Sequence, residues 1–150
     1  MKDRVVHAAR DRGIELDVCH LEGSPRTPDD VATALGCSCS EMVRSVVFVA
    51  DGEPVLCMIG ELDQIDPGLV CDALDCAEAR PASSDEARAA TGFPAGCVPP
   101  LAHDVRLVVD AAVAERPLVY AAGGDGRTRV AVRPVELLAS VDSLVAPIAA

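Results

Sequence analysis

Few side chains of this sequence could do chemistry, and their spacing points away from the familiar catalytic sets. The histidines are His7, His20 and His103, and no G-x-S-x-G nucleophile motif occurs. A thiol hydrolase built from Cys97 and His103 is conceivable, although six residues and a proline pair separate the two. Cys37 and Cys39 with one histidine could in principle hold a metal. No C-x-x-C pair supports that reading, so the expectation is no metal and no cofactor. Arg44 begins the apolar run VRSVVFVA. On strand alternation it shares a face with Val46 and Phe48, where a guanidinium must find an anion or reach out to water.

The other notable stretch is TGFPAGCVPP, Thr91 to Pro100. Pro99 and Pro100 restrict the backbone, and Gly96 has no side chain to block a close approach. Such a segment could aim the Cys97 and Val98 amides into a cavity, where they would polarise a carbonyl oxygen gaining charge during attack. Read from these residues alone, an ordinary turn leading into RLVVD is the favoured reading.

The elements that must position these groups can be read from pattern and punctuation. Lys2 to Arg12 reads as a helix stopped by Gly13, and Ile14 to His20 as a half-buried strand. Thr27-Pro28-Asp29-Asp30 opens a helix that Gly36 closes. Val43 to Ala50 reads as a strand, turned at Asp51-Gly52 into the partner PVLCMIG. Asp66-Pro67 starts a helix through Leu74, and Ser83 or Ser84 caps one that Gly92 ends. RLVVD and LVYAA read as strands. A glycine-rich turn at Gly123 to Gly126 leads to the strand TRVAV, and Pro134 opens a last helix. The elements predict one domain, residues 1–150, of α/β class with a mixed, mostly antiparallel sheet. No dinucleotide or P-loop signature occurs.

Composition narrows the partners. Half the residues are hydrophobic and only 2% are aromatic, so the core must be aliphatic and no platform for stacking bare bases exists. The net charge of −11 argues against broad nucleic-acid binding, DNA included, but leaves room for a small local anion site. Lys2 is the only lysine; every other basic residue is arginine. No apolar run is long enough to span a membrane and the N-terminus is charged, so the expectation is a cytoplasmic protein without a membrane partner. The seven cysteines are expected to be mostly small buried hydrophobes.

Three stretches carry a resemblance. RTPDDVATALGCSCSEMVRSVVFVADGEPVLCMIGE resembles a helix, strand and hairpin in which a lysine followed by Ser, Thr or Asn begins the strand; here these are Arg44 and Ser45. ATGFPAGCVPPLA resembles the loop T-G-[YF]-x-x-G-G-[VI]-S-P, and GGDGRTRVAVRPVELL with LVAPIA resembles a closing hairpin, helix and tail. The chain is similar to the YbaK family, the prolyl-tRNA synthetase editing-domain-like aminoacyl-tRNA deacylases. The resemblance implies a curved, barrel-like sheet flanked by helices. It implies a free-standing trans-editing deacylase that hydrolyses the ester of mischarged aminoacyl-tRNA, with no side-chain nucleophile and no cofactor. The implied catalytic residues are Arg44, Gly96, Cys97 and Val98. The implied substrate contacts are Ser45, Pro100, Gly123 and Arg129. The implied partners are the aminoacyl end of tRNA and an aminoacyl-tRNA synthetase. The alternative is a non-catalytic module of the same fold that binds a nucleotide, an aminoacyl-adenosine or a protein. Three departures stand out: arginine for lysine at 44, cysteine for glycine at 97 and proline for serine at 99. Some members also carry an acidic residue near position 129, where this chain has arginine.

Overall fold

The computed structural model describes residues 2–23 and 25–150. In chain order it contains α1 (Lys2–Asp11), β1 (Leu16–His20), α2 (Pro28–Leu35) and a 3-10 turn (Cys39–Glu41). The hairpin β2 (Val43–Ala50) and β3 (Glu53–Gly60) follows, then α3 (Pro67–Leu74), β4 (Ala79–Pro81) and α4 (Ser84–Thr91). The last third holds β5 (Arg106–Asp110), α5 (Ala111–Ala114), β6 (Val119–Ala122), β7 (Thr128–Val132), α6 (Pro134–Ser140) and β8 (Ser143–Ala146).

Local chemistry accounts for most of these boundaries. Thr27 Oγ1 accepts the Asp30 amide at 3.1 Å and Pro28 occupies the first helical position of α2. The β2–β3 turn places Asp51 at φ 46° and Gly52 at φ 84°, the left-handed pair that a two-residue hairpin requires. It sets the register from Ala50 opposite Glu53 to Val43 opposite Gly60. Ser83 and Glu86 form a reciprocal capping box at the start of α4.

The strands form two sheets, β1-β7-β6 and β4-β2-β3-β5-β8. Pairings of β3 with β5 and β5 with β8 are parallel; the other four are antiparallel. The mixed, mostly antiparallel expectation therefore holds, whereas the curved sheet does not close into a barrel. The sheets touch at one parallel bridge, Met42 with Tyr120, because β2 meets β6 at one end and β4 at the other. The strands β4 and β8 and the helix α5 are further elements that the sequence pattern did not predict. Each has at most four residues, too few to show a period.

Two cores lie on opposite faces of the five-stranded sheet. Leu56 and Met58 belong to the larger core with Phe93, Val98 and Leu107, while Val55, Cys57 and Ile59 join Phe48, Val70 and Ile148 in the smaller. β3 is thus buried on both sides, which is why PVLCMIG is an unbroken apolar run. The buried Asp110 carboxylate ties down the chain end: Oδ1 accepts the Ile148 and Ala149 amides at 3.0 and 3.2 Å. Among the described residues, no helix is long and apolar enough to cross a membrane.

Candidate functional site

The site is built on the uncovered edge of β2. Strand β4 pairs with β2 from Phe48 to Ala50, and the Ala82 amide extends the contact by donating to Val47 O at 2.8 Å. Backbone polar groups alternate sides along a strand, so those of Ser45 point to the same side as Val47 O. Beyond Val47 this edge borders a groove of about 280 Å³ instead of a strand. Arg44, Ser45 and Val46 line one wall, Ala82 and Ala87 another, and Ala95, Gly96 and Val98 the third.

Ser45 carries the clearest signal. Val43 and Val47, two residues to either side, belong to the larger core, so the Ser45 side chain faces that way, as do Ala87 and Val98. Ser45 is 7% exposed, and its Oγ has no hydrogen-bond partner among the described residues. A buried hydroxyl without a partner costs roughly 1–3 kcal/mol, and a ligand that pairs with it relieves the cost.

Arg44 lies on the opposite face of β2 with Val46 and Phe48, as alternation predicts; the latter two pack in the smaller core. The groove follows the strand edge, so residues of both faces border it. Arg44 Nη2 and Nε donate to Asp63 O at 2.8 and 3.3 Å, which ties the half-buried side chain to the segment just after β3.

The loop after α4 supplies the third wall. Pro94, Ala95, Gly96 and Cys97 form a turn in which the Cys97 amide donates to Pro94 O at 3.0 Å. Gly96 has φ 83°, as the third residue of a type II turn requires. Cys97 avoids positive φ, so replacing the loop's second glycine introduces no left-handed strain. The turn does consume the Cys97 amide, which corrects the expectation that this donor faces a cavity. Pro100 is buried behind the loop and does not line the groove.

The charge arrangement extends beyond the expected residues. Arg129, on β7 between Cys19 and Ala122, exerts its charge on both Cys97 and Glu61. Burial pushes the Glu61 carboxyl up, and Arg129 and Arg44 oppose that shift. Glu61 therefore sits within reach of both arginines, a role the sequence reading missed. The hairpin held the signal. Arg44 lies opposite Ile59, so Glu61, two residues beyond Ile59 and just past the end of β3, falls on the same side. Gly123 serves packing instead: a Cβ there would meet Thr128 Cγ2 at 2.6 Å and Thr128 O at 3.0 Å.

The thiol-hydrolase arrangement does not form. Burial raises the Cys97 thiol, and both His103 ring nitrogens are occupied by backbone groups, at 2.8 Å from Pro99 O and 3.2 Å from Val105 N. Among the described residues, no group of three or more His, Cys, Asp or Glu side chains is arranged to hold a metal.

Helix α4 holds the loop in place, and its cap is pH-sensitive. The Arg80 guanidinium, with the Ser83 amide, pulls the Glu86 carboxyl from 4.5 to about 2. A depressed carboxyl contributes stability that is complete above its unfolded value and is lost as pH falls through the folded one. Glu86→Gln, which keeps the cap geometry, should therefore have a lower melting temperature than the parent at pH 7. The difference should shrink between about 4.5 and about 2. A thermal-melt series across that range checks it, and a gap that stays constant down to pH 2 would contradict the assignment.

The sequence profile of the aminoacyl-tRNA editing domain matches residues 23–139. The chain belongs to that family. This editing domain is 41% identical over 85 residues to the proline–tRNA ligase of Citrifermentans bemidjiense, covering 55% of the chain and 15% of that ligase. It is 32% identical over 130 residues to the proline–tRNA ligase of Streptococcus pyogenes serotype M1, covering 85% of the chain and 20% of the ligase. The chain thus spans a fifth or less of these curated relatives. Among solved structures, the editing domain superposes with TM-score 0.89 and 32% identity on a protein proposed as a trans-editing enzyme for prolyl-tRNA synthetase, over 99% of this chain and 96% of that one. A hypothetical protein matches with TM-score 0.88 and 26% identity, over 98% of this chain and 99% of the other.

Proposed function

We propose that this editing domain is a trans-acting deacylase that hydrolyses the ester of a mischarged aminoacyl-tRNA. The observation that carries the reading is the unpartnered Ser45 hydroxyl, buried in a groove that Arg44 and Gly96 also border. A buried hydroxyl without a partner calls for an explanation, and a ligand atom in the groove would supply one for Ser45. The match to a proposed trans-editing enzyme over nearly its whole length supports a unit that acts apart from a synthetase.

In this reading the aminoacyl group enters the groove, whose walls of alanine and valine leave room for a small acyl group. Arg44 and Arg129 supply local positive charge toward the terminal phosphates, against a chain whose net charge is −11. Contact limited to the tRNA end reconciles that local charge with an acidic surface, since each phosphate contact acts over about a Debye length. The Ser45 hydroxyl and the backbone of Gly96 and Val98 face the ester. An ester needs no protein nucleophile: holding it in place and polarising its carbonyl lets water attack.

The test is a panel of tRNAs, each charged with one amino acid and mixed with purified protein. Release of free amino acid from at least one mischarged tRNA, with the cognate pair spared, is the expected result. Binding of an aminoacyl-adenosine analogue with no hydrolysis across the panel would instead identify a non-catalytic binding module.

A further inference from the structure

We propose that His103 is a positioning residue for the Gly96–Pro100 loop: its neutral ring, protonated at Nε2, clamps the Pro99 carbonyl to the Val105 amide. This rests on the deacylase reading for its catalytic consequence, but not for its geometry.

The tautomer follows from the partners. The Val105 amide, 3.2 Å from Nδ1, can only donate, so Nδ1 must accept. The Pro99 carbonyl, 2.8 Å from Nε2, can only accept, so Nε2 must carry the proton. One imidazole therefore bridges the loop's end to the residue just before β5. The segment it spans contains Ala102 at φ 75°, a left-handed conformation that alanine adopts only when its surroundings impose it. Pro99 has no amide, and its carbonyl is the group that His103 holds. Val98, directly before it, lines the groove. Losing the clamp would free the backbone that forms the groove's third wall.

Protonation breaks the clamp at one side. With both nitrogens protonated, Nδ1 would present a hydrogen to the Val105 amide hydrogen. The charged groups around the ring oppose one another. His103 borders an open hollow of about 510 Å³ with Arg4 and Asp11 from α1, Arg12 just after it, and its own neighbour Asp104. Burial, with Arg4 and Arg12, holds the imidazole below its ordinary value, against the Pro99 bond and Asp104. A histidine held low keeps its native bonds above its unfolded value and loses them as pH falls through the folded one. The clamp is thus set at neutral pH and released in acid.

The test compares the parent with His103→Gln and His103→Ala. Imidazole nitrogen NMR should show the Nε2–H tautomer, with a protonation midpoint below the ordinary histidine value of about 6.5. Exchange protection of the Val105 amide, corrected for the intrinsic pH effect, should fall as the ring protonates. His103→Gln, whose carboxamide can donate to Pro99 O, should keep much of the protection without that pH step. His103→Ala should lose it at all pH values and drop kcat about 10²-fold with KM little changed, as expected when a reacting group is displaced by about 1 Å. An Nδ1–H tautomer, protonation with no change in amide exchange, or parental kcat in His103→Ala would each overturn the proposal. If the parent hydrolyses no ester, the deacylase reading fails, while the tautomer and exchange results still decide the role of His103.

Discussion

Arg44→Ala should lose roughly 10–10²-fold in deacylation kcat/KM, mainly through KM, the scale of one lost hydrogen bond between charged groups. Arg44 lines the groove, and two bonds to Asp63 O hold its guanidinium, so its charge is already fixed before substrate arrives. Stability should fall much less, by about 1–2 kcal/mol for the two bonds to a half-exposed group. Arg44→Lys should fall between parent and alanine. It keeps the charge but can no longer grip Asp63 O through a planar fork. Turnover of a mischarged tRNA by each variant, alongside its melting curve, separates the two effects. Parental kcat/KM in Arg44→Ala would remove Arg44 from the mechanism.

Phe93→Ala should be the most destabilising single change near the site, by about 3–5 kcal/mol, the range for truncating a buried aromatic. Phe93 is fully buried in the larger core, in a chain with almost no other aromatic residue to compensate. Its amide donates to Thr91 Oγ1 at 3.1 Å, and that hydroxyl donates to Ala87 O at 2.8 Å, so the ring and the end of α4 form one unit. Arg4 sits 4.4 Å above the ring centre and adds a smaller contribution, about 0.5–1 kcal/mol at an exposed site. Activity should be lost along with stability, because the turn at Gly96 begins one residue after Phe93. Phe93→Leu fills most of the volume and should recover most of both. Denaturant unfolding gives the energies. A loss under 1 kcal/mol in Phe93→Ala would mean that the loop is not anchored there.

Legibility in the sequence divided along a physical line. Elements announced by their own caps and turns were readable: the Thr27-Pro28 start, the Asp51-Gly52 hairpin, the Ser83 cap and the Gly92 stop all depend on neighbours within four residues. The motif TGFPAGCVPP was readable as a stiff segment for the same reason. The segments β4 and β8 were not, because each is a strand only through the neighbour it pairs with. Glu61 was missed because its importance comes from a diagonal across the hairpin and from Arg129 on a different sheet.

By its own residue order the chain determined the family resemblance, the α/β class, the central hairpin and its register, and the position of the glycine turn. Tertiary packing decided which groups those elements bring together. It left one edge of β2 uncovered at Ser45, drew the Cys97 amide into the turn and set His103 under the loop. The reason is reach: caps and turns act over a few bonds, while a groove exists only where residues far apart in the chain fail to fill the space between them.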